Sequence, residues 1–196
     1  MPLLIPILLL CSALASDGRG RVAIPPIDLG VGATARSGVT AGPAFDLGVI
    51  LLQKDSWSMR AGLAATGSRW APILDEVVRG SAVQRSLAST RFDLAPRYRI
   101  TQWLRAEVLV GFSWQSWRQQ WVTISSQAVP QLGVGAEAQL SWFGLRGRAT
   151  TDLSRVELLL SDGTRRKLSP VEIGVTLFIR IPGTRDPFGE LPTLPR

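Results

Sequence analysis

The 196-residue sequence predicts an all-β protein in which eight antiparallel strands close into an up-and-down barrel. Three observations support this prediction: apolar and polar side chains alternate with a period of two, the alternation recurs in eight separate runs, and short and long connections alternate between the runs. Period-two alternation is typical of strands whose two faces meet different environments. The eight runs are residues 27–36, 43–51, 57–66, 91–100, 103–114, 130–142, 145–153 and 171–181.

One face of every run is free of charge. The apolar faces of the eight runs contain 44 positions with no charged residue, whereas 16 of the 40 opposite positions are charged, nine by Arg and seven by Asp or Glu. Pro96 and Pro130 have no backbone N–H that could donate a hydrogen bond to a neighbouring strand, so we expect strand pairing to be interrupted near them. Taken in order, the apolar faces are represented by Leu29, Leu47, Leu63, Leu94, Val108, Val134, Leu145 and Leu177, and the opposite faces by Asp28, Asp46, Arg60, Asp93, Glu107, Glu137, Arg148 and Glu172.

The connections between the runs help to decide which face lies inside the barrel. In a soluble barrel the apolar face points inward, and in a membrane barrel it meets lipid. Long connections on one side and tight turns on the other are typical of the membrane class. The long connections here are residues 67–90, 115–129 and 154–170, and the short ones are 52–56, 101–102 and 143–144. This asymmetry favours an apolar face that meets lipid and a polar lumen.

Aromatic residues and the type of charge support the same orientation. Rings on the apolar face lie near the ends of the runs, as expected for residues at membrane interfaces. The polar face carries Arg, which pairs with carboxylates in confined spaces, whereas Lys54 and Lys167 lie in connections. The predicted interface aromatics are Phe45, Trp57, Tyr98, Phe112, Trp114 and Trp142.

This pattern over residues 27–181 resembles the small eight-stranded outer-membrane barrels of Gram-negative bacteria. Residues 172–179 also resemble the last-strand signal of such barrels, with polar Glu172, then Gly174, then bulky Leu177 and Ile179. These two bulky residues depart from the usual signal, which has aromatic residues at both positions. The resemblance implies a bacterial outer-membrane location, with outer-membrane lipids, lipopolysaccharide and the barrel assembly machinery as partners.

The two ends of the sequence predict export. Residues 1–15 contain a short apolar run followed by Ala13-Leu14-Ala15, which is typical of a cleaved signal peptide. Cys11 leaves lipoprotein processing as an alternative. We expect residues 16–26 to form an N-terminal periplasmic linker and the Pro-rich residues 182–196 to form a periplasmic tail.

The charged face provides the main candidate site. Eight strands leave an interior just wide enough for side chains, so we expect Arg–carboxylate pairs to plug it. The alternatives are a narrow passive pore with a mild anion preference and a soluble periplasmic lipocalin-like carrier of an apolar ligand. The predicted lumenal ion-pair network is Asp46, Arg60, Arg91, Asp93, Arg97, Arg105, Glu107, Glu137, Arg146, Arg148, Asp152 and Glu172.

The long connections contain three further motifs. Trp114, Trp117 and Trp121 flank Arg118 and indicate either an adhesive, glycan-contacting patch or interface anchors. Pro72 predicts the start of a short helix with Ile73, Leu74, Val77 and Val78 on one side, either packed in the loop or lying as a lid over the barrel mouth. The pair Asp162-Gly163 predicts a hairpin that extends the last two strands.

Composition excludes several classes of function. The sequence has no His and its single Cys is Cys11, so it offers no His-ligated zinc and no Ser-His-Asp triad. We therefore predict no enzyme activity, no metal and no cofactor. The net charge of +7 does not indicate nucleic-acid binding, because many of the arginines share a face with carboxylates. The predicted role is structural, adhesive or surface-interacting, with an extracellular surface ligand as a further partner.

Overall fold

The structure is a computed structural model, and it describes residues 25–69, 76–78, 81–83, 85–119, 122–155, 157–159 and 165–183. The predicted signal peptide and most of the predicted linker and tail lie outside these residues. No helix in the described ranges is long and apolar enough to cross a bilayer. The strands are β1 (Ile27–Arg36), β2 (Val39–Lys54), β3 (Trp57–Arg69), β4 (Glu76–Val78), β5 (Ser81–Val83), β6 (Arg85–Arg99), β7 (Leu104–Gln119), β8 (Val122–Leu140), β9 (Phe143–Asp152), β10 (Glu157–Leu159), β11 (Arg165–Lys167) and β12 (Val171–Ile181).

Eight of these strands form a closed barrel in the order β1-β12-β9-β8-β7-β6-β3-β2. All neighbouring strands are antiparallel, and the barrel closes where β1 pairs with β12 from Ile27↔Ile181 to Arg36↔Glu172. The predicted eight-stranded antiparallel up-and-down barrel is confirmed. Strands β1 and β12 coincide with the predicted runs, because both are short enough to alternate over their whole length.

The apolar face of the barrel points outward. Val108, Val134 and Leu177 are 51%, 60% and 64% exposed, whereas Arg97 and Arg148 on the inward face are 1% and 7% exposed. Side chains of adjacent residues in a strand point to opposite faces, so this orientation holds along each regular stretch of a strand. The predicted orientation of the two faces is therefore correct.

Tight turns join the strands at one end of the barrel, which we call the short-turn end. Asp55–Ser56 link β2 to β3, and Ser141–Trp142 link β8 to β9, with Asp55 and Ser141 at φ angles of 50° and 59°. The prediction placed the second turn at 143–144, which is wrong because those residues already belong to β9. At the opposite, long-connection end, β1 and β2 are joined through Gly38 at φ 96°, a conformation that glycine adopts without steric cost.

The strands continue well beyond the predicted runs at the long-connection end. Strand β7 reaches Gln119 and β8 begins at Val122, so most of the connection expected over 115–129 is strand. Alternation of apolar and polar residues fades there because the outward face no longer needs to be apolar, while the backbone ladder continues. The alternating pattern therefore marks the part of each strand whose outward face is apolar, and not the full length of the strand.

Two small hairpins occupy the remaining connections. Strands β10 and β11 pair from Glu157↔Lys167 to Leu159↔Arg165, which agrees with the turn predicted at Asp162-Gly163. They form a separate two-stranded sheet and do not extend β9 and β12 as expected. The short helix predicted after Pro72 is wrong at Val77 and Val78, which lie in strand β4 (Glu76–Val78). Their β-branched side chains favour strands. The rest of that prediction falls outside the described residues.

Pro96 interrupts strand pairing on one side only. The β6–β7 ladder omits Ala95 and Pro96, although Pro96 stays in register with Met59 on β3. Pro130 stays in register with Phe112 on β7, and its carbonyl oxygen accepts a hydrogen bond from the backbone N–H of Leu153, just beyond the end of β9. The expected interruption is therefore present at Pro96, whereas the β7–β8 ladder runs through Pro130 without a gap.

Candidate functional site: the ionic interior of the barrel

Inward-facing glycines make room for large charged side chains. A Cβ at Gly48 would lie 2.0 Å from Nε of Arg60, and one at Gly62 would lie 2.5 Å from Oδ1 of Asp93. A Cβ at Gly135 would lie 2.8 Å from Oε1 of Glu107. The charged groups therefore lie directly over glycine backbone, and this close approach lets them fill the barrel axis.

A cluster of arginines surrounds one carboxylate near the short-turn end. The partners of Glu137 are Arg146 at 2.7 Å, Arg180 at 2.9 Å, Arg97 at 3.2 Å and Arg105 at 3.3 Å. Asp28 is a second acceptor, 2.6 Å from Arg146 and 2.7 Å from Arg180. Because all but Arg105 and Arg180 are fully or nearly fully buried, water can replace few of these contacts.

The middle of the barrel continues the same network. Arg60 lies 2.7 Å from Asp46 and 3.5 Å from Asp93, and Arg148 lies 2.5 Å from Glu107. Arg146 also contacts Asp46 at 2.5 Å, which joins this layer to the cluster around Glu137. Opposite charges thus form one continuous set of contacts from the short-turn end to the barrel centre.

A mixed polar layer lies toward the long-connection end. Arg36 pairs with Asp152, which also accepts hydrogen bonds from Gln131 Nε2 at 2.6 Å and Gln115 Nε2 at 3.0 Å. Arg91 and Glu172 approach within 3.4 Å on the facing side of this layer. The density of charge is lower here than around Glu137, and neutral amides take part.

An apolar cluster closes the interior beyond this polar layer. Its members are 8% exposed or less. The interpretation of Trp117 as an exposed anchor or adhesive residue is therefore wrong, because Trp117 is 2% exposed and lies in this cluster. Trp114 is 50% exposed, and Trp121 lies outside the described residues. We call the cluster the apolar cap; it consists of Val39, Leu87, Trp117, Val129 and Leu168.

Little free space remains between the cap and the charged layers. A cavity of about 10 Å³ borders Asp46, Arg91, Arg148, Thr150 and Glu172. That volume holds about one water molecule. The cavity has both charged and apolar lining residues and is far smaller than the several hundred Å³ typical of a small-molecule site.

All twelve predicted lumenal residues lie on the inward face, and each has an oppositely charged group within 4 Å. Sequence reasoning did not include Asp28, Arg36 and Arg180 in the network, although each stands on the charged face of its run. It also missed Phe178, an inward apolar residue whose ring centre is 4.4 Å from the Arg146 guanidinium. Position within the run places all four side chains on the inward face, but only the three charged residues carry the charge that indicates the network.

Aromatic side chains ring the outer wall at both ends. Near the short-turn end, the Trp57 and Tyr98 ring centres are 5.0 Å apart, and Trp142 is 60% exposed. Trp103 and Phe143 join this group but were not predicted. Near the long-connection end the exposed rings are Phe45, Phe112 and Trp114.

Comparisons with solved structures agree with this architecture. The N-terminal β-barrel domain of OprF from Pseudomonas aeruginosa matches with a TM-score of 0.51 and 12% identity, covering 81% of this chain and 99% of that one. The outer-membrane protein Ail of Yersinia pestis matches with a TM-score of 0.47 and 12% identity over the same shares. No family model and no curated protein matches the chain. The resemblance to small outer-membrane barrels is thus confirmed as a likeness of fold.

Proposed function

We propose that this chain is a bacterial outer-membrane barrel with a sealed interior, and that its role is structural, adhesive or surface-interacting. The observation that carries the proposal is the outward apolar wall. Twenty-six large apolar side chains of the described residues are more than 40% exposed. Soluble monomers rarely expose a contiguous apolar patch above about 300–600 Å². A wall of this kind around a closed barrel is stable in lipid and aggregates in water.

The height of the apolar wall supports a bilayer location. Ala65, which pairs with Phe45, lies eight residues along β3 from Trp57. At about 3.3 Å per residue and a strand tilt of about 40°, that span is roughly 20 Å high. Adding the aromatic side chains at each rim gives approximately the 25 Å apolar band of outer-membrane barrels.

The filled interior supports a non-conducting barrel. A narrow pore needs a continuous water path, and both the four-arginine cluster at Glu137 and the apolar cap lie across the axis. Moving an ion through this interior requires that buried ion pairs separate, which costs several kcal/mol per ion. The lipocalin-like alternative needs an apolar interior with room for a ligand, whereas the described barrel is filled by charged side chains along the height of its apolar wall.

Two measurements test location and sealing together. The detergent-extracted protein is expected to show heat-modifiable gel mobility and to fractionate with outer membranes. In planar bilayers we expect no steps of conductance, and we expect the Trp117→Ala variant to stay silent because the ionic layers remain. Recovery of the protein in the soluble periplasm refutes the membrane location. Stepwise currents from the folded wild-type barrel refute the sealed interior.

Partners follow from the same proposal. The outward residues Ile173, Leu177 and Ile179 of β12 are 58%, 64% and 46% exposed, which supports recognition of this last strand by the assembly machinery. We place the contact with an extracellular surface ligand at the hairpins β4–β5 and β10–β11, which stand on the long-connection end. Replacing residues 157–167 by a Gly-Ser linker tests this contact: host-surface attachment is expected to fall while heat-modifiable mobility stays unchanged. We propose no enzymatic step.

A further inference from the structure

The positive charge of the barrel interior is concentrated at the short-turn end. Nine arginines and seven carboxylates stand at the inward positions of the eight runs. Away from this end, four inward arginines face five carboxylates, so the whole excess of positive charge lies at the short-turn end. We call the group at this end the basic mouth; it consists of Arg97, Arg99, Arg105, Arg146 and Arg180 with the carboxylates of Asp28 and Glu137.

Two of these arginines converge on the same two oxygen atoms. Arg105 Nη1 donates a hydrogen bond to Oε1 of Gln139 at 2.7 Å and another to Oε1 of Glu137 at 3.3 Å. Arg180 donates to the same oxygen of Gln139 through Nη1 and to the same oxygen of Glu137 through Nη2, the latter at 2.9 Å. Because such hydrogen bonds are rarely longer than about 3.2 Å, the two Nη1 atoms lie within about 6 Å of each other. One carboxylate oxygen and one neutral amide oxygen compensate little of the repulsion between two charges at that distance.

Arg99 adds a third positive charge beside this pair. It is in register with Arg105 across the β6–β7 ladder. Directly opposed residues have Cα atoms about 4.5–5.5 Å apart, and like charges in such a pair are destabilising. Within the described ranges, the side chain of Arg99 has no hydrogen bond or ion pair, and neither has the exposed Asp55 of the adjoining turn. The repulsion at this position is therefore not offset by a carboxylate of the described barrel.

The three guanidinium groups retain hydrogen-bond donors that the described residues do not use. An arginine side chain carries five N–H groups on three nitrogens. Arg105 uses Nη1 alone, which leaves Nε and Nη2 without a described partner, and Arg99 uses none of its side-chain donors. None of these unused nitrogens is among the fully buried polar atoms that lack a partner. The unused donors are therefore accessible at the open end of the barrel.

Contacts beneath the mouth hold Arg180 and its neighbour Gln139 in place. Arg180 donates to the two oxygens of Asp28, from Nε at 2.7 Å and from Nη2 at 2.9 Å, and its guanidinium carbon lies 5.4 Å from the centre of the Phe178 ring. Gln139 Nε2 donates to the backbone carbonyl of Ser141 at 2.8 Å. An incoming anion thus has to order few side chains, which lowers the entropic cost of binding it.

We propose that the basic mouth binds one phosphate group, whose oxygens accept hydrogen bonds from Arg99, Arg105 and Arg180. These arginines come from the three strands β6, β7 and β12, so their donors approach from different directions. A tetrahedral oxyanion presents acceptors in several directions, whereas a carboxylate presents two oxygens in one plane. A phosphate group carries about one to two negative charges at neutral pH, which offsets the excess of positive charge. The phosphate is either inorganic phosphate or the headgroup phosphate of a phospholipid in the adjoining leaflet.

The test uses the full chain folded in a maltoside detergent, which contains no phosphate, with folding verified by heat-modifiable mobility. Sodium phosphate is titrated into the protein at constant ionic strength in a chloride buffer, and the heat is measured by isothermal titration calorimetry. Sodium acetate is the comparison ligand. The variants are Arg99→Gln and Arg105→Gln, and the matched control is Lys54→Gln, an exposed cation at the same end that is in register with the outward Trp57.

We expect the wild type to bind one phosphate per chain and to bind acetate at least tenfold more weakly. Arg99→Gln is expected to weaken phosphate binding about tenfold, as for one lost hydrogen bond to a charged group, and Arg105→Gln at least as much. Lys54→Gln is expected to change the affinity less than twofold.

A second measurement separates binding from a merely structural role of Arg99. In chloride alone, Arg99→Gln is expected to lose heat-modifiable mobility at the same temperature as the wild type or at a higher one, because the variant removes a like charge opposite Arg105. Phosphate is expected to raise this temperature more for the wild type and for Lys54→Gln than for Arg99→Gln, since only a folded barrel with an intact mouth binds it.

Repeating the titration in phosphatidylglycerol nanodiscs distinguishes the two sources of phosphate. Loss of the binding heat there identifies the lipid headgroup as the occupant, and persistence of the heat identifies free phosphate. The inference is overturned if the folded wild type gives no saturable heat with phosphate in maltoside, if acetate binds equally well, or if Lys54→Gln weakens binding as much as Arg99→Gln. None of these results bears on the outer-membrane location, which fractionation tests separately.

Discussion

The carboxylate of Glu137 offers the sharpest test of the ionic interior. The change Glu137→Gln keeps the shape of the side chain and removes its charge from among four arginines. Arg146 and Arg180 retain Asp28 as a partner at 2.6 and 2.7 Å. Arg97 and Arg105 have no other paired carboxylate among the described residues.

The cost of this change follows from what Arg97 and Arg105 lose. Arg97 is 1% exposed, and beyond the residue at 137 its hydrogen-bond partner among the described residues is the neutral hydroxyl of Ser58 at 3.1 Å, so its buried charge is left without a paired carboxylate. Arg105 is nearer to the end of the barrel and still donates a hydrogen bond to Oε1 of Gln139 at 2.7 Å. It therefore contributes less than Arg97 to the loss of unfolding free energy. Breaking a buried ion pair on one side costs about 3–5 kcal/mol, and we expect Glu137→Gln to lower the unfolding free energy by that amount.

Urea unfolding of the barrel in phospholipid vesicles, followed by tryptophan fluorescence, measures the effect. The matched control is Glu172→Gln, because Glu172 has one arginine at 3.4 Å and that arginine keeps Asp93. We expect about 1 kcal/mol or less for this control. The double variant Glu137→Gln, Arg97→Leu is expected to regain part of the loss, since it removes the unpaired charge. If Glu137→Gln and Glu172→Gln lower the unfolding free energy equally, Glu137 is not the central carboxylate of the network.

Three other substitutions test packing and orientation. Trp117→Ala in the apolar cap is expected to lower the unfolding free energy by about 3–5 kcal/mol in the same assay. The control is Trp114→Ala at an exposed position, for which we expect a smaller loss. Gly48→Leu is expected to displace the Arg60 guanidinium and lower the temperature at which heat-modifiable mobility is lost, because even a Cβ there would lie 2.0 Å from Nε. Val134→Arg on the outer wall is expected to cost about 2–4 kcal/mol in vesicles, while the same change at the exposed turn residue Ser141 has little effect. If Val134→Arg leaves the unfolding free energy in vesicles unchanged, the lipid-facing orientation is contradicted.

The fold and the direction of the faces could be predicted from sequence because the lipid environment proposed for the outer wall imposes the pattern. Residues such as Val108 and Val134 must be apolar where they meet hydrocarbon, and residues such as Arg97 and Arg148 can be charged only where partners surround them. That constraint applies to every second residue of each membrane-spanning stretch, so the alternation is strong. The same reasoning locates most members of the ionic network without any knowledge of their partners.

The remaining features could not be predicted because nothing imposes an alternation on them. Outside the apolar wall both faces tolerate polar residues, so the extensions of β7 and β8 do not alternate between apolar and polar residues. For this reason the sequence predicts a connection there instead of strands. The turn at Ser141–Trp142 depends on a positive φ at a serine, which composition does not indicate. Phe178 packs inward against Arg146 because Gly144 leaves space for its ring, a relation that involves two different strands.

The change from an ionic filling to an apolar cap along one interior has a physical cause. In the proposed membrane location, hydrocarbon surrounds the apolar wall, and the narrow interior at that height is filled by Arg–carboxylate contacts whose partners come from facing strands, as Arg146 and Asp28 do. Toward the long-connection end the surroundings would be aqueous, and a core there gains stability by excluding water in the manner of a soluble protein. Trp117 and Leu87 then stabilise the projecting strands in the same way that a small soluble barrel is stabilised. On this reasoning the apolar cap stabilises the end of the barrel to which the hairpins β4–β5 and β10–β11 are connected, which supports the proposed surface-interacting role.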